Sequence, residues 1–285
     1  MSNLVPRRSF LSTMLAACLL SRPASSEAPA ALEVGILPNI SARMLLAQYQ
    51  PMREFLAGEL HRPVQLSTAP SWNTFQQRTL ALDYDVVVTA ANMARVAQLD
   101  SGLIPLLSYA PGIKGMIAFD RDRPLRSVAE LAGQTLVLSN PQSLVTLQGM
   151  LWLADKGLKR DRDFATINTP TDDSVGSVVV RGDAIAAMLS GGEYRAIPDA
   201  IKARLQILVT FAEVAGFVVL ASPKLPPVEV RAIKEHLLRF AAVSEEGKTF
   251  FASTGFTSIR EPVAGLMESM DPYVEMTRRM MSQRG

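Results

Sequence analysis

Cysteine and histidine are nearly absent from this chain of 285 residues, which has one cysteine, Cys18, and two histidines, His61 and His236. One cysteine cannot form an internal disulfide, and two histidines cannot supply a histidine-rich metal centre. We therefore predict no bound metal and no cofactor. With 48% hydrophobic residues the chain is too apolar to be disordered. Its length fits one large domain or two of roughly 100–150 residues.

Catalytic and nucleotide-binding signatures are missing as well. The sequence has no Gly-x-Gly-x-x-Gly, P-loop, Cys-x-x-Cys, His-Glu-x-x-His or Gly-x-Ser-x-Gly motif. His61 ends a predicted helix and His236 lies in a charged one, so we expect both to face solvent. These absences favour a binding protein over an enzyme.

A charge excess is absent once the N-terminal segment is set aside. Without Arg7, Arg8, Arg22 and Glu27, the 29 basic and 27 acidic residues become 26 of each. A mature protein with no net charge has no overall positive electrostatic potential to attract a polyanion. We therefore expect no nucleic-acid partner.

The N-terminus has a short apolar run behind two basic residues. Residues 9–20 follow Arg7 and Arg8 and are too few for a transmembrane helix, which needs about 20 apolar residues. Small residues at 24–26 and 28–30 are typical of a signal-peptidase site. We predict that residues 1–30 are an export signal and that the protein works in the periplasm. A buried N-terminal helix is the alternative.

Two details of this segment bear on the export route. The pair Arg7 and Arg8, followed by Ser, Phe and Leu, is similar to a twin-arginine signal, which exports folded chains. An ordinary secretory signal with two arginines is the competing interpretation. Residues 15–18 resemble a lipoprotein box, in which Cys18 would be acylated and become the first mature residue. A chance cysteine in an apolar stretch is the alternative.

From residue 32 onward, short apolar runs alternate with helical periodicity, which predicts an α/β fold. We predict strands at 32–37, 64–68, 85–89, 104–108, 115–119, 135–138, 165–168, 184–188, 205–209 and 216–221. We predict helices at 41–60, after 71, and at 143–156, 173–180, 228–243, 246–252 and 263–281.

The chain lacks a flexible linker between its halves, which favours two lobes sharing crossing strands. Pro111 with Gly112, and the segment 211–216, precede strands and are predicted hinges. One lobe is then made of residues 31–112 and 213–285. Residues 113–212 form a second, inserted lobe. The sheets are expected to be parallel or mixed.

Candidate ligand-binding residues lie at junctions where a strand ends and the next helix begins. Clefts in such folds form at the carboxyl ends of strands. Asn39, Trp72, Asn92, Ser143 and Asp172 occupy such junctions.

Each junction also has a purely structural interpretation. Ser143 with nearby amides would orient an acceptor group of a ligand, or it only caps a helix. Trp72 would cover an apolar or planar part of the ligand, or it packs in the core. Asp172, beside Asp173, would accept a donor or positive group, or the pair only stabilises a helix start.

Several stretches resemble the phosphonate/phosphite-binding family of periplasmic ABC-transporter proteins. They lie at 35–38, 49–52, 60–64, 69–72, 85–88, 128–133, 140–143 and 181–184, and the likeness runs from about 33 to 260. The resemblance implies a type II periplasmic-binding fold, with two lobes, two hinge crossings and a ligand trapped by closure.

The same resemblance implies a changed pocket. Family members that bind phosphonate place Ser-Thr-Ser where this chain has Ser143, Leu144 and Val145. A family tyrosine corresponds to Ile113, and a carboxylate near the second hinge corresponds to Phe217. The aromatic residue of the Pro-Asp-Tyr segment is replaced by Trp72, and a family histidine is missing near 170–172. An acid of the preceding helix corresponds to Glu193, which would accept a donor or positive group. Tight phosphonate binding is therefore not expected.

We accordingly expect an exported, monomeric solute-binding protein that closes over a small molecule and delivers it to the permease of an ABC transporter. Docking to a sensor kinase is the variant left open. A second alternative is an enzyme on the same fold, with Asp172 and Asp173 as an acid–base pair. A third is a relative whose cleft is filled by Ile113, Leu144 and Phe217.

Overall fold

A computed structural model describes residues 30–169 and 174–282. The predicted export signal, with Arg7, Arg8 and Cys18, lies outside the described residues. So does the candidate pair Asp172 and Asp173.

The strands form two mixed sheets. The strands are β1 Leu32–Ile36, β2 Val64–Ser67, β3 Val86–Thr89, β4 Ile104–Ala110, β5 Ile113–Asp120, β6 Thr135–Leu138, β7 Ala165–Asn168, β8 Ala186–Ser190, β9 Leu205–Val214, β10 Val218–Ala221 and β11 Ser258–Arg260. The first sheet has the order β11-β4-β10-β3-β1-β2, and the second has the order β7-β6-β8-β5-β9. The predicted α/β fold with two lobes is confirmed.

Helices alternate with the strands and cover the sheets. They are α1 Ala42–Leu60, α2 Trp72–Leu80, α3 Ala91–Ser101, α4 Leu144–Asp155, α5 Val175–Arg181, α6 Gly191–Ala196, α7 Asp199–Lys202, α8 Pro227–Val243, α9 Glu245–Thr254 and α10 Asp271–Ser282. In the described part of the chain, no helix is both long enough and apolar enough to span a bilayer.

Several elements differ from the sequence prediction, which gave no bounds for the short helices α6 and α7 and ended β9 at residue 209 instead of 214. Helix α3 was not predicted; it begins after Ala90, which has no side chain able to cap it. Strand β11 has only three residues and pairs at the edge of its sheet, so its periodicity is too short to detect. The predicted helix 263–281 was wrong at its start, because Gly265 takes a positive φ of 79° and α10 begins only at Asp271.

The chain crosses between the sheets twice, and the crossings lie side by side. Strand β4 of the first sheet leads through Pro111 and Gly112 into β5 of the second, and β9 returns to β10 through residues 215–217. Ile113 is in register with Val214. We call residues 30–110 and 218–282 the first lobe, and the described residues of 113–214 the second lobe.

Strand β3 shows how the first lobe is held together. Its residues alternate between two apolar layers. Val86 and Val88 pack with α1 and α8, while Val87 packs with α2 and α3 on the opposite face. The second layer also includes Leu144 and Val145 from the start of α4. The start of α4 is therefore built into the cleft between the lobes.

Candidate functional site

Two adjoining cavities lie between the lobes. The inner cavity, of about 570 Å³, is lined by residues of both crossings and by the starts of α4 and α6. The outer cavity, of about 850 Å³, is lined by the loops before α1, α2 and α4 and by the end of α10. Asn39, Ile40 and Trp72 line both cavities, so the two are parts of one cleft.

Trp72 is fixed at the border of the two cavities. Ser71 caps α2 by accepting a hydrogen bond from the Thr74 backbone N–H at 3.1 Å, which orients the first turn. The Trp72 indole N–H donates to the Pro38 carbonyl at 3.0 Å. Because this bond satisfies its polar atom, Trp72 is largely buried and still presents an aromatic surface to the cleft.

Ser143 is the N-cap of α4. Its hydroxyl accepts from the Thr146 backbone N–H at 3.1 Å and donates to the Thr146 hydroxyl at 3.0 Å. Thr146 in turn donates to the Asn140 carbonyl at 2.8 Å. The capping role proposed for Ser143 is therefore present, and the side chain also lines the inner cavity with Leu144 and Val145.

Glu193 lines the inner cavity and caps its own helix. Ser190 and Glu193 form a reciprocal capping box, in which the Ser190 backbone N–H donates to the carboxylate. The Ser139 hydroxyl donates to the other carboxylate oxygen at 2.7 Å. Burial raises the pKa of the Glu193 carboxyl, while these hydrogen bonds act in the opposite direction. Both carboxylate oxygens thus already have partners within the second lobe.

The structure places Asn92 elsewhere. Asn92 is fully buried in α3 and donates to the Thr277 hydroxyl of α10 at 3.0 Å. Among the residues that line the two described cavities, Asn92 does not appear. The junction pattern could not distinguish a residue facing the cleft from one facing the neighbouring helix, because that depends on where α10 packs.

Two cationic residues at the inner cavity were missed by sequence reasoning. Lys114 begins β5, and Arg195 lies in α6. No local motif marks either one. The Arg195 guanidinium reaches across the cleft and donates to the Thr254 carbonyl at 2.8 Å.

Gly255 makes room for that arginine. Gly255 ends α9 with a φ of 76°, and the Arg195 guanidinium occupies the space that a Cβ would take. Both the left-handed backbone and the close approach require glycine here.

Gln142 forms another connection between the lobes. Its amide donates to the Asn73 side-chain oxygen at 2.6 Å and to the Met280 carbonyl at 3.2 Å. Gln148, one turn into α4, donates to the Tyr273 hydroxyl at 2.8 Å. These hydrogen bonds hold α2 and α10 of the first lobe against the second.

The metal-ligating side chains and the two histidines can be placed in the described part of the chain. Within residues 30–169 and 174–282, no group of histidine, cysteine and acidic side chains is arranged to hold a metal. His236 lies beside Glu59, 3.4 Å away, and His61 ends α1. In this part of the chain neither histidine lines the inner or the outer cavity.

The cleft is open to a ligand rather than filled. Ile113, Leu144 and Phe217, which one alternative expected to fill it, instead form part of the wall of the inner cavity.

A family model described as "ABC transporter, phosphonate, periplasmic substrate-binding protein" matches residues 34–264. No curated protein sequence matches significantly.

Solved structures share the fold at low identity. PhnD1 from Prochlorococcus marinus, in complex with methylphosphonate, has a TM-score of 0.78 and 14% identity over 89% of this chain and 99% of its own. A binding component of an ABC phosphonate transporter from Pseudomonas aeruginosa has a TM-score of 0.76 and 13% identity, covering 90% of each chain. XAC2383 from Xanthomonas citri, bound to ATP, has a TM-score of 0.71 and 20% identity over 88% and 99%.

Proposed function

Because the chain belongs to the family of periplasmic substrate-binding proteins of phosphonate-type ABC transporters, we propose that it traps a small molecule in the inner cavity and delivers it to a membrane permease. The family is one of binding proteins and not of enzymes. Type II periplasmic-binding proteins of this architecture bind their ligands between two lobes. The inner cavity has the corresponding position in this chain.

The proposed pocket departs from that of phosphonate binders. One observation carries this part of the proposal: four apolar residues at positions where the family has polar groups line the inner cavity. They are Ile113, Leu144, Val145 and Phe217. Apolar side chains cannot replace the charge-assisted hydrogen bonds that a phosphonate dianion needs, each of which contributes about 1.5–3 kcal/mol.

Closure of the lobes is the proposed mechanism of capture. The crossings at 111–112 and 215–217 would act as hinges, because few residues there connect two separately packed sheets. The bonds from Arg195 to Thr254 and from Gln142 to Asn73 would form as the lobes close. A ligand that contacts both lobes stabilises the closed state by its differential affinity.

The proposal includes the route to the periplasm and the partners. Residues 1–30 would direct export, by the twin-arginine route if Arg7 and Arg8 are read as that signal. Cys18 would carry a lipid anchor if the lipoprotein box is used. The mature protein would act as a monomer with an ABC permease. A sensor kinase is the alternative membrane partner.

Ligand-induced closure tests the proposed function directly. The exported protein would be screened by thermal unfolding against phosphonates, phosphate, sulfonates, carboxylates, amino acids and polyamines. A ligand at a hundredfold excess over its Kd stabilises the folded state by about 2.7 kcal/mol, which corresponds to about 5–10 °C in a protein of this size. Small-angle X-ray scattering should then show a smaller radius of gyration with that ligand.

The outcomes separate the alternatives. Stabilisation without compaction would contradict capture by closure. Stabilisation and compaction together with stimulation of ATP hydrolysis by the reconstituted permease would support transport. Compaction without any effect on the permease would favour the sensor partner instead.

A further inference from the structure

Helix α10 contacts both lobes. We infer that it is a strap, which stays attached to the first lobe and is released from α4 of the second lobe when the cleft opens. The contacts between α10 and α4 then set how readily the lobes separate. This inference rests on the proposed closure of the lobes and goes beyond it, because it assigns control of opening to an element outside the hinges.

One face of α10 is fixed to the first lobe. Val274 and Thr277 are buried and lie one turn apart on this face. The Thr277 hydroxyl accepts a hydrogen bond from the fully buried Asn92 amide of α3 at 3.0 Å. Because losing this bond would leave a buried donor without a partner, the contact resists separation of α10 from α3.

Charged pairs attach both ends of α10 to the first lobe. At the start, the Arg95 guanidinium of α3 donates to the Asp271 carboxylate at 2.7 Å. Near the end, the Arg278 guanidinium donates to both carboxylate oxygens of Asp100, which also belongs to α3. Hydrogen bonds between charged groups are stronger than those between neutral groups. Helix α10 is therefore held to α3 at three points along its length.

A second set of contacts joins α10 to the second lobe. The Tyr273 hydroxyl accepts a hydrogen bond from the Gln148 amide of α4 at 2.8 Å. The Met280 carbonyl accepts one from the Gln142 amide, just before α4, at 3.2 Å. This carbonyl is among the last four of α10, which a helix leaves free for outside donors. The second lobe thus touches α10 near both of its ends.

The two sets of contacts differ in strength. Those with the first lobe are charged or fully buried, whereas the hydrogen bonds with the second lobe join neutral groups at half-buried positions. Water can replace a neutral partner at a half-buried position at little cost. Opening of the cleft therefore breaks the bonds of α10 with the second lobe and leaves those with α3 in place.

Release of α10 and opening of the cleft involve the same part of α4. Residues 143–145 form part of the wall of the inner cavity, and they lie between Gln142 and Gln148. Met281 and Ser282, at the end of α10, line the outer cavity together with Gln142. Helix α10 thus borders the cleft and holds the helix whose start forms its wall.

Removing one hydroxyl tests the strap without any ligand. Tyr273→Phe keeps the ring and deletes the acceptor of the Gln148 amide. In the exported protein it should shift the ratio of closed to open molecules about fivefold toward the open form, as expected for one neutral hydrogen bond. Small-angle X-ray scattering should then give a larger radius of gyration than for the wild type.

Tyr194→Phe is the matched control for this variant. Tyr194 is half-buried in α6, and its hydroxyl forms no hydrogen bond with a described residue. The radius of gyration of Tyr194→Phe should therefore equal that of the wild type. Circular dichroism would verify that both variants are folded.

Hydrogen exchange shows whether α10 stays on the first lobe. In Tyr273→Phe the amides of α10 should exchange as slowly as in the wild type, because the contacts with α3 remain. Arg278→Gln, which removes the bonds to Asp100 and Glu275, should speed exchange in α10 about tenfold. Lys248→Gln, which breaks an exposed pair with Glu245 within α9, should leave exchange in α10 unchanged.

The results decide on the strap separately from ligand binding. A larger radius of gyration with unchanged exchange in Tyr273→Phe would support the strap. An unchanged radius would overturn it, and so would faster exchange throughout α10 in that variant. Because these measurements need no ligand, the strap can fail while the thermal screen still finds a ligand that closes the lobes. A screen that finds no ligand would count against the proposed function alone.

Discussion

Single residues in the cleft connect the lobes. Arg195 lies flat against Gly255, and its bond to the Thr254 carbonyl joins α6 of the second lobe to the end of α9 in the first. A helix C-terminus carries partial negative charge on its free carbonyls, so a guanidinium is a favourable partner there. Gly255 therefore acts on the cleft indirectly, by leaving space for Arg195.

Replacing this glycine should have two separable effects. Gly255→Ala should destabilise the protein by roughly 1–2 kcal/mol through left-handed backbone strain, and further by displacing Arg195. Gly102→Ala is the matched control, since Gly102 ends α3 with a φ of 68° and has open space around its Cα. Urea unfolding should show the larger loss for Gly255→Ala. Equal losses of unfolding free energy in the two variants would mean that the displacement of Arg195 does not destabilise the protein.

The titration of Glu193 predicts a pH dependence of stability. Burial raises the pKa of this carboxyl, so the folded protein binds the proton more tightly than the unfolded chain does. Its contribution to stability is therefore greatest at low pH, below the pKa of the unfolded chain, and is lost as pH rises through the folded pKa. Relative to Glu193→Gln, the wild type should gain unfolding free energy when urea titrations are moved from pH 7 to pH 5.

Glu130 provides the comparison for this measurement. It completes a capping box with Ser127 in the same way, at an exposed position. Glu130→Gln removes the equivalent capping carboxylate without the burial and is therefore the matched control. Parallel pH profiles of the two variants would contradict a special role of burial at Glu193.

At the scale of elements, the start of α4 combines folding and binding roles. Ser143 caps it and lines the inner cavity, while Leu144 and Val145 pack in the apolar layer of the first lobe. One helix start thus contributes to the core, to the cleft wall and to the contact between lobes.

A pair of cap deletions separates these roles. Ser143→Ala should lower the free energy of unfolding by about 1 kcal/mol, as is usual for a lost N-cap. Ser244→Ala, which removes the cap of α9 away from both cavities, should cost about the same. Only Ser143→Ala should also weaken, in isothermal titration, the binding of the ligand that the thermal-unfolding screen identifies. If the affinity of Ser143→Ala for the ligand is unchanged, Ser143 only caps the helix and does not contribute to binding.

At the scale of the whole molecule, side-chain hydrogen bonds from the second lobe to the first help to hold the two lobes together. Gln142 donates to Asn73 and to the Met280 carbonyl, and Gln148 donates to Tyr273. These partners belong to α2 and α10 of the first lobe. If the lobes close as proposed, the balance between open and closed forms would depend on these polar contacts, on the apolar contacts of Leu144 and Val145, and on the ligand.

Removing one such contact should shift this balance. Gln142→Ala should destabilise the closed form by about 1 kcal/mol and weaken apparent ligand affinity about fivefold. Without ligand, scattering should give a larger radius of gyration than for the wild type. Gln50→Ala, which loses bonds to Arg53 and Glu54 within α1, should change neither quantity. An unchanged radius for Gln142→Ala would contradict its role in closure.

The sequence by itself determined most of the fold and part of the cleft. Apolar runs and turn residues are local signals, so the strands from β1 to β10 and the α/β class were predicted from them. Asn39, Trp72 and Ser143 were found because strand ends and helix starts meet at one edge of such sheets. The family resemblance identified Leu144 and Phe217 as replaced positions.

Only the tertiary structure decided which of those residues face the cleft. Asn92 turns toward α10, because the packing of a helix nearly 200 positions away fixes its partner. Arg195 reaches Thr254 through the closeness of two lobes, which no local pattern encodes. Short-range propensities act within a few residues, whereas a cleft is assembled from side chains distant in sequence. Its charge and shape therefore appear only when the chain is folded.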